Sequence, residues 1–224
     1  MKKYFVSMYE LVVGKLSQDI RFARSVRSLI STIDYVEQHM QNIMSVDKNL
    51  KVHDVAIEQI TIKDGIVMEF GVFTGTTINH IAKKLKNTKI YGFDSFEGLP
   101  EYWRDGFKKG SFTLDQLPKV EANVTLIKGW FDKTLPEFKP DNRPLAYLHV
   151  DCDLYSSTKT IFQYLKNSIV TGTVIVFDEY FNYPGWQEGE FKAFKELLEE
   201  TGKEYKYLTY NRKHEQVAVI ITKG

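Results

Sequence analysis

Cysteine is almost absent from the chain. Cys152 stands alone among 224 residues, which excludes an internal disulfide framework and a cysteine-based zinc site and fits a reducing compartment. Charge of one sign is missing too. The 30 Lys and Arg nearly cancel the 29 Asp and Glu, so no overall electrostatic footprint marks the chain for nucleic acid or an anionic membrane. No apolar run approaches the ~18 residues of a membrane span. The opening stretch MKKYFVSMYELVVGKL begins basic and turns apolar, but Glu10, Lys15 and Asp19 interrupt it. No small-residue cleavage site follows, so it reads as mature protein and not as a signal peptide. Internal repeats and low-complexity segments are lacking as well. These absences leave a soluble, cytoplasmic protein with no nucleic-acid or membrane partner. Its length suits one domain with a small appendage, and 43% hydrophobic residues suffice for a substantial core.

Two regions differ in rhythm. Residues 1–60 hold no strand-like stretch. Their apolar residues recur at helical spacing: Tyr4, Met8, Leu11 and Val12, then Phe22, Val26, Leu29, Ile30, Ile33, Val36 and Met40. They read as an N-terminal helical extension of two or three helices ending in a polar segment at 45–51, with a short helix at 53–60. Residues 61–224 read as the main domain. Short apolar runs occur there at 66–70, 89–93, 124–128, 145–150, 173–177, 205–210 and 217–222. Helical faces lie between the first five and after them: Ile78, Ile81, Ala82 and Leu85; Ile161, Phe162, Leu165 and Ile169; Phe191, Phe194 and Leu198. Such alternation predicts an α/β fold with a mostly parallel sheet covered on both faces. The last two runs are joined only by NRKHEQ, a hairpin turn that makes the final strand antiparallel.

In such sheets ligands bind beyond the carboxyl ends of the strands. After the first strand comes GVFTGTT, in which Gly71 and Gly75 are accompanied by Thr74, Thr76 and Thr77. The glycines allow a sharp turn and a close approach to a ligand, and the following helix offers unpaired N–H groups to an anion. Phe73 and Thr76 occupy the later glycine places of the dinucleotide fingerprint, and no Gly-Lys-Ser/Thr follows. A plain strand-to-helix turn capped by threonine is the competing reading of this loop. Asp94 ends the second strand roughly 20 residues on, where an acid accepts the hydroxyls of a ribose. The alternative, a helix cap by Asp94 or Ser95, is opposed by Gly98 and Pro100. After the third strand, Trp130 follows Gly129, as a cover for an adenine ring or as a core residue. The fourth and fifth strands end in Asp151 and Asp153 and in Asp178 and Glu179. Four acids in one crevice repel unless some are protonated or a cation lies between them, and an all-oxygen set favours magnesium, manganese or calcium. Strand alternation would put Asp151 and Asp153 on one face and Cys152 on the other.

Read together, Glu69-Phe70-Gly71 with its glycine loop, Gly92-Phe93-Asp94-Ser95, Gly129-Trp130, Asp151-Cys152-Asp153 and Asp178-Glu179-Tyr180 resemble the macrocin O-methyltransferase family. This is a family of class I S-adenosylmethionine-dependent methyltransferases, and the resemblance covers about residues 64 to 222. It implies a Rossmann-like, seven-stranded sheet. It implies that the loop from Gly71 through Thr74, Gly75, Thr76 and Thr77 holds the methionine part of the cofactor, with Glu69 and Phe70 also binding the cofactor. Asp94 would take the ribose hydroxyls, Gly129 and Trp130 would lie near the adenine, and Ser95 and Asp151 would also border the cofactor. It further implies a magnesium or manganese ion held by Asp151, Asp178 and Glu179, with Asp153 as the general base. Two residues depart from the family pattern: Glu179 stands where an aspartate is usual, and Cys152 where a glycine is usual.

The resemblance implies methyl transfer to a hydroxyl of a small sugar or phenol. Two other classes compete. One is a metal-dependent nucleotide-sugar glycosyltransferase using the Asp-x-Asp motif, and the other a non-catalytic module that binds S-adenosylmethionine. The glycine loop and Asp94 disfavour the first, and retention of all four acids the second. The aromatic, basic segment 101–112 reads as a lid or a surface loop. The extension at 1–60 reads as part of the acceptor pocket or as a homodimer contact.

Overall fold

A computed structural model of the chain describes Gly14, residues 18–138 and residues 143–224. The helical pattern of Tyr4, Met8, Leu11 and Val12 lies outside the described residues. One mixed sheet organises the rest: β1 (Ser45–Val46), β2 (Ile66–Phe70), β3 (Ile90–Asp94), β4 (Val124–Lys128), β5 (Leu145–Val150), β6 (Val174–Phe177), β7 (Glu204–Asn211) and β8 (Val217–Lys223). Their spatial order is β1-β7-β8-β6-β5-β2-β3-β4. Every residue of β2, β5 and β6 is buried. Parallel strands covered on both faces need near-continuous apolar runs, interrupted here by Glu69 in β2 and His149 in β5. β8 is antiparallel to both its neighbours, as the hairpin required.

The sheet has eight strands where seven were expected. The additional one, β1, pairs Ser45 with Tyr210 and Val46 with Asn211 at the outer edge. Two residues in a polar segment carry no periodicity to read. Contacts distant in sequence hold them there, with Thr209 Oγ1 donating to the Met44 carbonyl and the Arg212 N–H to that of Val46.

The helices are α1 (Ile20–His39), α2 (Asn49–Glu58), α3 (Thr76–Lys84), α4 (Phe131–Glu137), α5 (Tyr155–Leu165) and α6 (Glu190–Thr201). On one face, Val52 and Ala56 of α2 and Ile78, Ile81 and Ala82 of α3 pack on Val67, Tyr147, Val174 and Val176. On the other, Ile161, Phe162 and Leu165 of α5 and Ala193, Phe194 and Leu197 of α6 pack on Met68, Phe70, Leu148 and Phe177. α4 had no helical signature, being seven residues long with Pro136 inside it.

α1 forms where its spacing predicted, with Asp19 accepting from the Arg21 and Phe22 N–H groups at its start. Its orientation is unexpected. Ser28 and Thr32 are buried while Leu29, Ile30 and Ile33 are exposed. The inward side mixes polar with apolar residues: Trp186 Nε1–H donates to Ser31 Oγ and the Asn182 N–H to Thr32 Oγ1, while Tyr35 and Val36 pack on the core.

Chain order reverses between β2 and β5, which lie side by side. The crevice beyond their carboxyl ends is the topological switch point where such sheets bind ligands.

Candidate active site at the carboxyl ends of the sheet

A cavity of about 510 Å³ opens at that switch point. Gly71, Asp94, Ser95, Trp130, Asp151, Asp153, Asp178 and Glu179 line it from the strand ends, and Trp103, Arg104, Phe107 and Phe112 from the long segment after β3.

Gly71 is dictated by packing. Its φ is +91°, and a Cβ there would stand 1.6 Å from the Asp151 carbonyl oxygen. Only glycine allows the ends of β2 and β5 to pass so closely. The loop beyond is then pinned by Asp94. One carboxylate oxygen, Oδ2, accepts the Val72 and Phe73 N–H groups at 2.9 and 2.8 Å, and Oδ1 accepts that of Phe96 at 2.7 Å. An ionised carboxylate has about four acceptor positions, so capacity remains toward the cavity. Ser95 caps no helix: its hydroxyl accepts the Glu97 N–H and turns the chain after β3.

The other residues expected around a cofactor stand further back. Glu69 and Phe70 are inside the sheet, fully buried. Thr74 and Thr76 are exposed, their hydroxyls 3.3 Å apart at the start of α3. Gly75 takes φ +80° as the residue before α3, with Thr77 in that helix's first turn. Gly129 sends its N–H to the Asp94 carbonyl at 2.9 Å and presents Trp130 to the cavity.

Asp151 and Asp178 continue the ladder one residue past their strands, with N–H groups on the Phe70 and Val150 carbonyls. Strand alternation does not extend to Asp153. β5 ends at Val150, and the Leu154 N–H closes a three-residue turn on the Cys152 carbonyl at 2.6 Å, with Asp153 at φ +64°. That turn is a strained one, and it delivers a second acid to the same cavity. Cys152 directs its thiol to the Thr158 hydroxyl at 3.3 Å. Ser156, in the first turn of α5, borders the cavity and donates to Glu101 at 2.6 Å.

A nitrogen of His149 and one carboxylate oxygen each of Asp151 and Asp178 lie within 4.8 Å of one another, the one such group among the described residues. Glu179 does not join it. Its N–H donates to Glu190 Oε2 at 3.2 Å, and its own Oε2 is buried without a partner.

The methyltransferase domain family matches residues 68–180, half of the chain, from β2 to just past β6. The chain belongs to that family. A demethyldecarbamoylnovobiocin O-methyltransferase of Streptomyces niveus is 26% identical over 140 residues, 53% of this chain and 53% of its own length. An 8-demethyl-8-(2,3-dimethoxy-alpha-L-rhamnosyl)-tetracenomycin-C 4'-O-methyltransferase of Streptomyces olivaceus is 28% identical over 140 residues, 52% of this chain and 53% of its own. The chain thus spans about half the length of the curated relatives it matches. Among solved structures, the calicheamicin methyltransferase CalS11 shares the fold with a TM-score of 0.60 at 21% identity, covering 77% of this chain and 80% of its own.

In this methyltransferase domain the acids are far from ordinary. Burial, then the charge of Arg104 acting in the opposite direction, then Asp178, set the Asp153 carboxyl, which is pushed up to about 7. Asp151 is partly exposed at the cleft, yet desolvation by the surrounding protein and the neighbouring Asp178 and Asp153 push it well above the usual range. Burial does the same to Glu179 and Glu190.

Two residues around the site have no sequence signal of their own. Arg104 grips Glu215 with one guanidinium nitrogen at 3.0 and 2.9 Å from its two oxygens and lies 3.8 Å over the Trp103 ring. This fastens the segment after β3 across the cavity to the β7–β8 turn. Glu190, at the start of α6, accepts the Glu179 N–H on Oε2 at 3.2 Å, while its other carboxyl oxygen is buried without a partner. This buried carboxyl therefore ties the loop that carries Asp178 and Glu179 to α6.

Proposed function

We propose that the chain is an S-adenosylmethionine-dependent O-methyltransferase of the macrocin type, acting on a hydroxyl of a sugar or phenolic small molecule with help from a divalent cation. The observation that carries this is the meeting, in one cavity, of a glycine loop pinned by Asp94 with a buried carboxyl on Asp153. The resemblance to the two Streptomyces O-methyltransferases supports the reaction type.

S-adenosylmethionine supplies an electrophilic sulfonium methyl when bound. Asp94 would take the ribose hydroxyls on its remaining acceptor positions, and the Trp130 indole would flank the adenine. Gly71 leaves backbone exposed where a side chain would block the approach. Asp153 accepts the proton of the attacking hydroxyl, and its raised affinity for a proton suits a base working near neutral pH. Positioning of that hydroxyl contributes much of the acceleration, and Trp103, Phe107 and Phe112 supply the apolar wall against which an acceptor ring lies.

Asp151 and Asp178 fit a magnesium or manganese ion as facing oxygen ligands. Such an ion lowers the pKa of an acceptor hydroxyl. Glu179, the third ligand that the resemblance implies, sits with its carboxyl outside their group. The segment 101–112 acts as a lid, latched by Arg104 on Glu215. The exposed Leu29, Ile30 and Ile33 of α1 suit contact with a second copy of the chain.

The test is incubation with methyl-deuterated S-adenosylmethionine and a panel of sugars, phenols and glycosides, read by mass spectrometry. Gain of one labelled methyl on oxygen is expected. Transfer to nitrogen or carbon alone would refute the reading.

A further inference from the structure

Beneath Asp151 and Asp178 lies a buried polar pair that the proposed reaction does not use. Glu69 of β2 and His149 of β5 are paired in register, and neither is exposed. His149 Nδ1 and Glu69 Oε2 are 2.9 Å apart. The other ring nitrogen, Nε2, is buried and has no partner in the structure. A buried polar atom left unpaired costs about 1–3 kcal/mol, so its surroundings need an explanation.

Strand geometry gives the neighbours of His149 on its face of the sheet. Residues two apart on a strand share a face, so His149 lies one step below Asp151. Val176 is its register partner on β6, and Asp178 stands two residues beyond Val176. The three side chains therefore rise from one face of two adjacent strands, which is why their ligand atoms come within 4.8 Å of one another. With Glu69 accepting from Nδ1–H, the tautomer that a ligating histidine takes, the lone pair lies on Nε2. A histidine steadied by a carboxylate on one nitrogen and open on the other is the common arrangement behind a bound metal ion. Glu179 is the next residue along from Asp178, and its carboxyl does not join this group, while its backbone N–H donates to Glu190.

We infer that this cavity binds a divalent cation through His149 Nε2, Asp151 and Asp178, not through Glu179, and that it prefers manganese or cobalt to magnesium. An imidazole ligand suits those ions, whereas magnesium favours oxygen alone. The inference rests on the metal-assisted part of the proposed function and deepens it.

The experiment uses the full chain, freed of metal and loaded with manganese chloride. Pulsed electron paramagnetic resonance reads directly whether nitrogen coordinates the ion. Nitrogen coupling from one imidazole is expected in the unaltered protein and in Glu179→Gln, and its loss in His149→Gln. Competition should show magnesium binding more weakly than manganese, and His149→Gln should weaken manganese by at least the ~10-fold that loss of a supporting outer-shell partner costs. No nitrogen coupling in the unaltered protein would overturn the inference, without reliance on any variant's folding. So would manganese binding that survives His149→Gln and is lost in Glu179→Gln. Calorimetry with S-adenosylhomocysteine on the same samples separates the two claims. Cofactor binding without nitrogen coupling sinks the ligand assignment alone, whereas failure to bind S-adenosylhomocysteine sinks the methyltransferase reading.

Discussion

Replacing Asp94 tests whether this residue builds the cofactor loop as well as serving a ribose. Its carboxylate accepts three backbone N–H groups, two from the glycine loop and one from its own turn, at 2.7 to 2.9 Å. A hydrogen bond to a charged group contributes roughly 1.5–3 kcal/mol. The partial exposure of the site argues for the lower end. Asp94→Ala removes all three and should cost about 3–5 kcal/mol. Asp94→Asn keeps one acceptor oxygen. Placed on Val72 and Phe73, it loses only the Phe96 bond, at a cost of about 1–2 kcal/mol. At roughly 2–4 °C per kcal/mol for a domain of this size, the alanine variant should melt about 6–20 °C lower and the asparagine variant a few degrees lower. Calorimetric melting without ligand measures this apart from cofactor affinity. Equal melting of all three proteins would show that the loop does not depend on Asp94, and the account of the site's assembly would be wrong.

Three further outcomes are expected. Asp153→Asn should bind S-adenosylhomocysteine as the unaltered chain does and lose ~10²–10⁴-fold in turnover; the φ of +64° at this position is one that asparagine tolerates, so turnover at the unaltered rate would remove Asp153 as the base. Glu190→Gln should stabilise the metal-free protein at pH 8 by roughly 1–3 kcal/mol and change little at pH 4. Burial raises the Glu190 carboxyl above its ordinary 4.5, so the folded state holds its proton more tightly and loses stability as pH rises above that value, a loss that glutamine does not share; parallel stability–pH curves would contradict this. Arg104→Ala should free the segment after β3, raise KM for the acceptor about tenfold and leave S-adenosylhomocysteine affinity unchanged, since the bond to Glu215 fastens one wall of the cavity; an unaltered KM would show that the latch has no part in acceptor binding.

What could be read from the chain was set by local pattern. β2, β5 and β6 stood out because burial on both faces demands near-continuous apolar runs, and β8 because the turn before it is short. β1 had only two residues and a distant partner. α1 was legible as a helix but not in its orientation, because its buried side meets Trp186 and Asn182 through Ser31 and Thr32. In the cavity, the placing of Asp94, Asp151 and Asp178 follows from strand ends, which sequence shows. The course of Asp153 does not, because alternation stops with β5 and a turn takes over. The Arg104–Glu215 latch joins residues 111 apart, and the bond of Glu190 to the Glu179 backbone forms only when α6 packs on the sheet. Neither partner marks the other in sequence.

Titration calorimetry of the full chain with S-adenosylhomocysteine and, separately, with UDP-sugars tests the central claim most directly. One S-adenosylhomocysteine per chain is expected to bind, with affinity reduced at least tenfold in Asp94→Ala, and the UDP-sugars to give no heat. Binding of a UDP-sugar without binding of S-adenosylhomocysteine would contradict the account and return the Asp151–Asp153 pair to a nucleotide-sugar site.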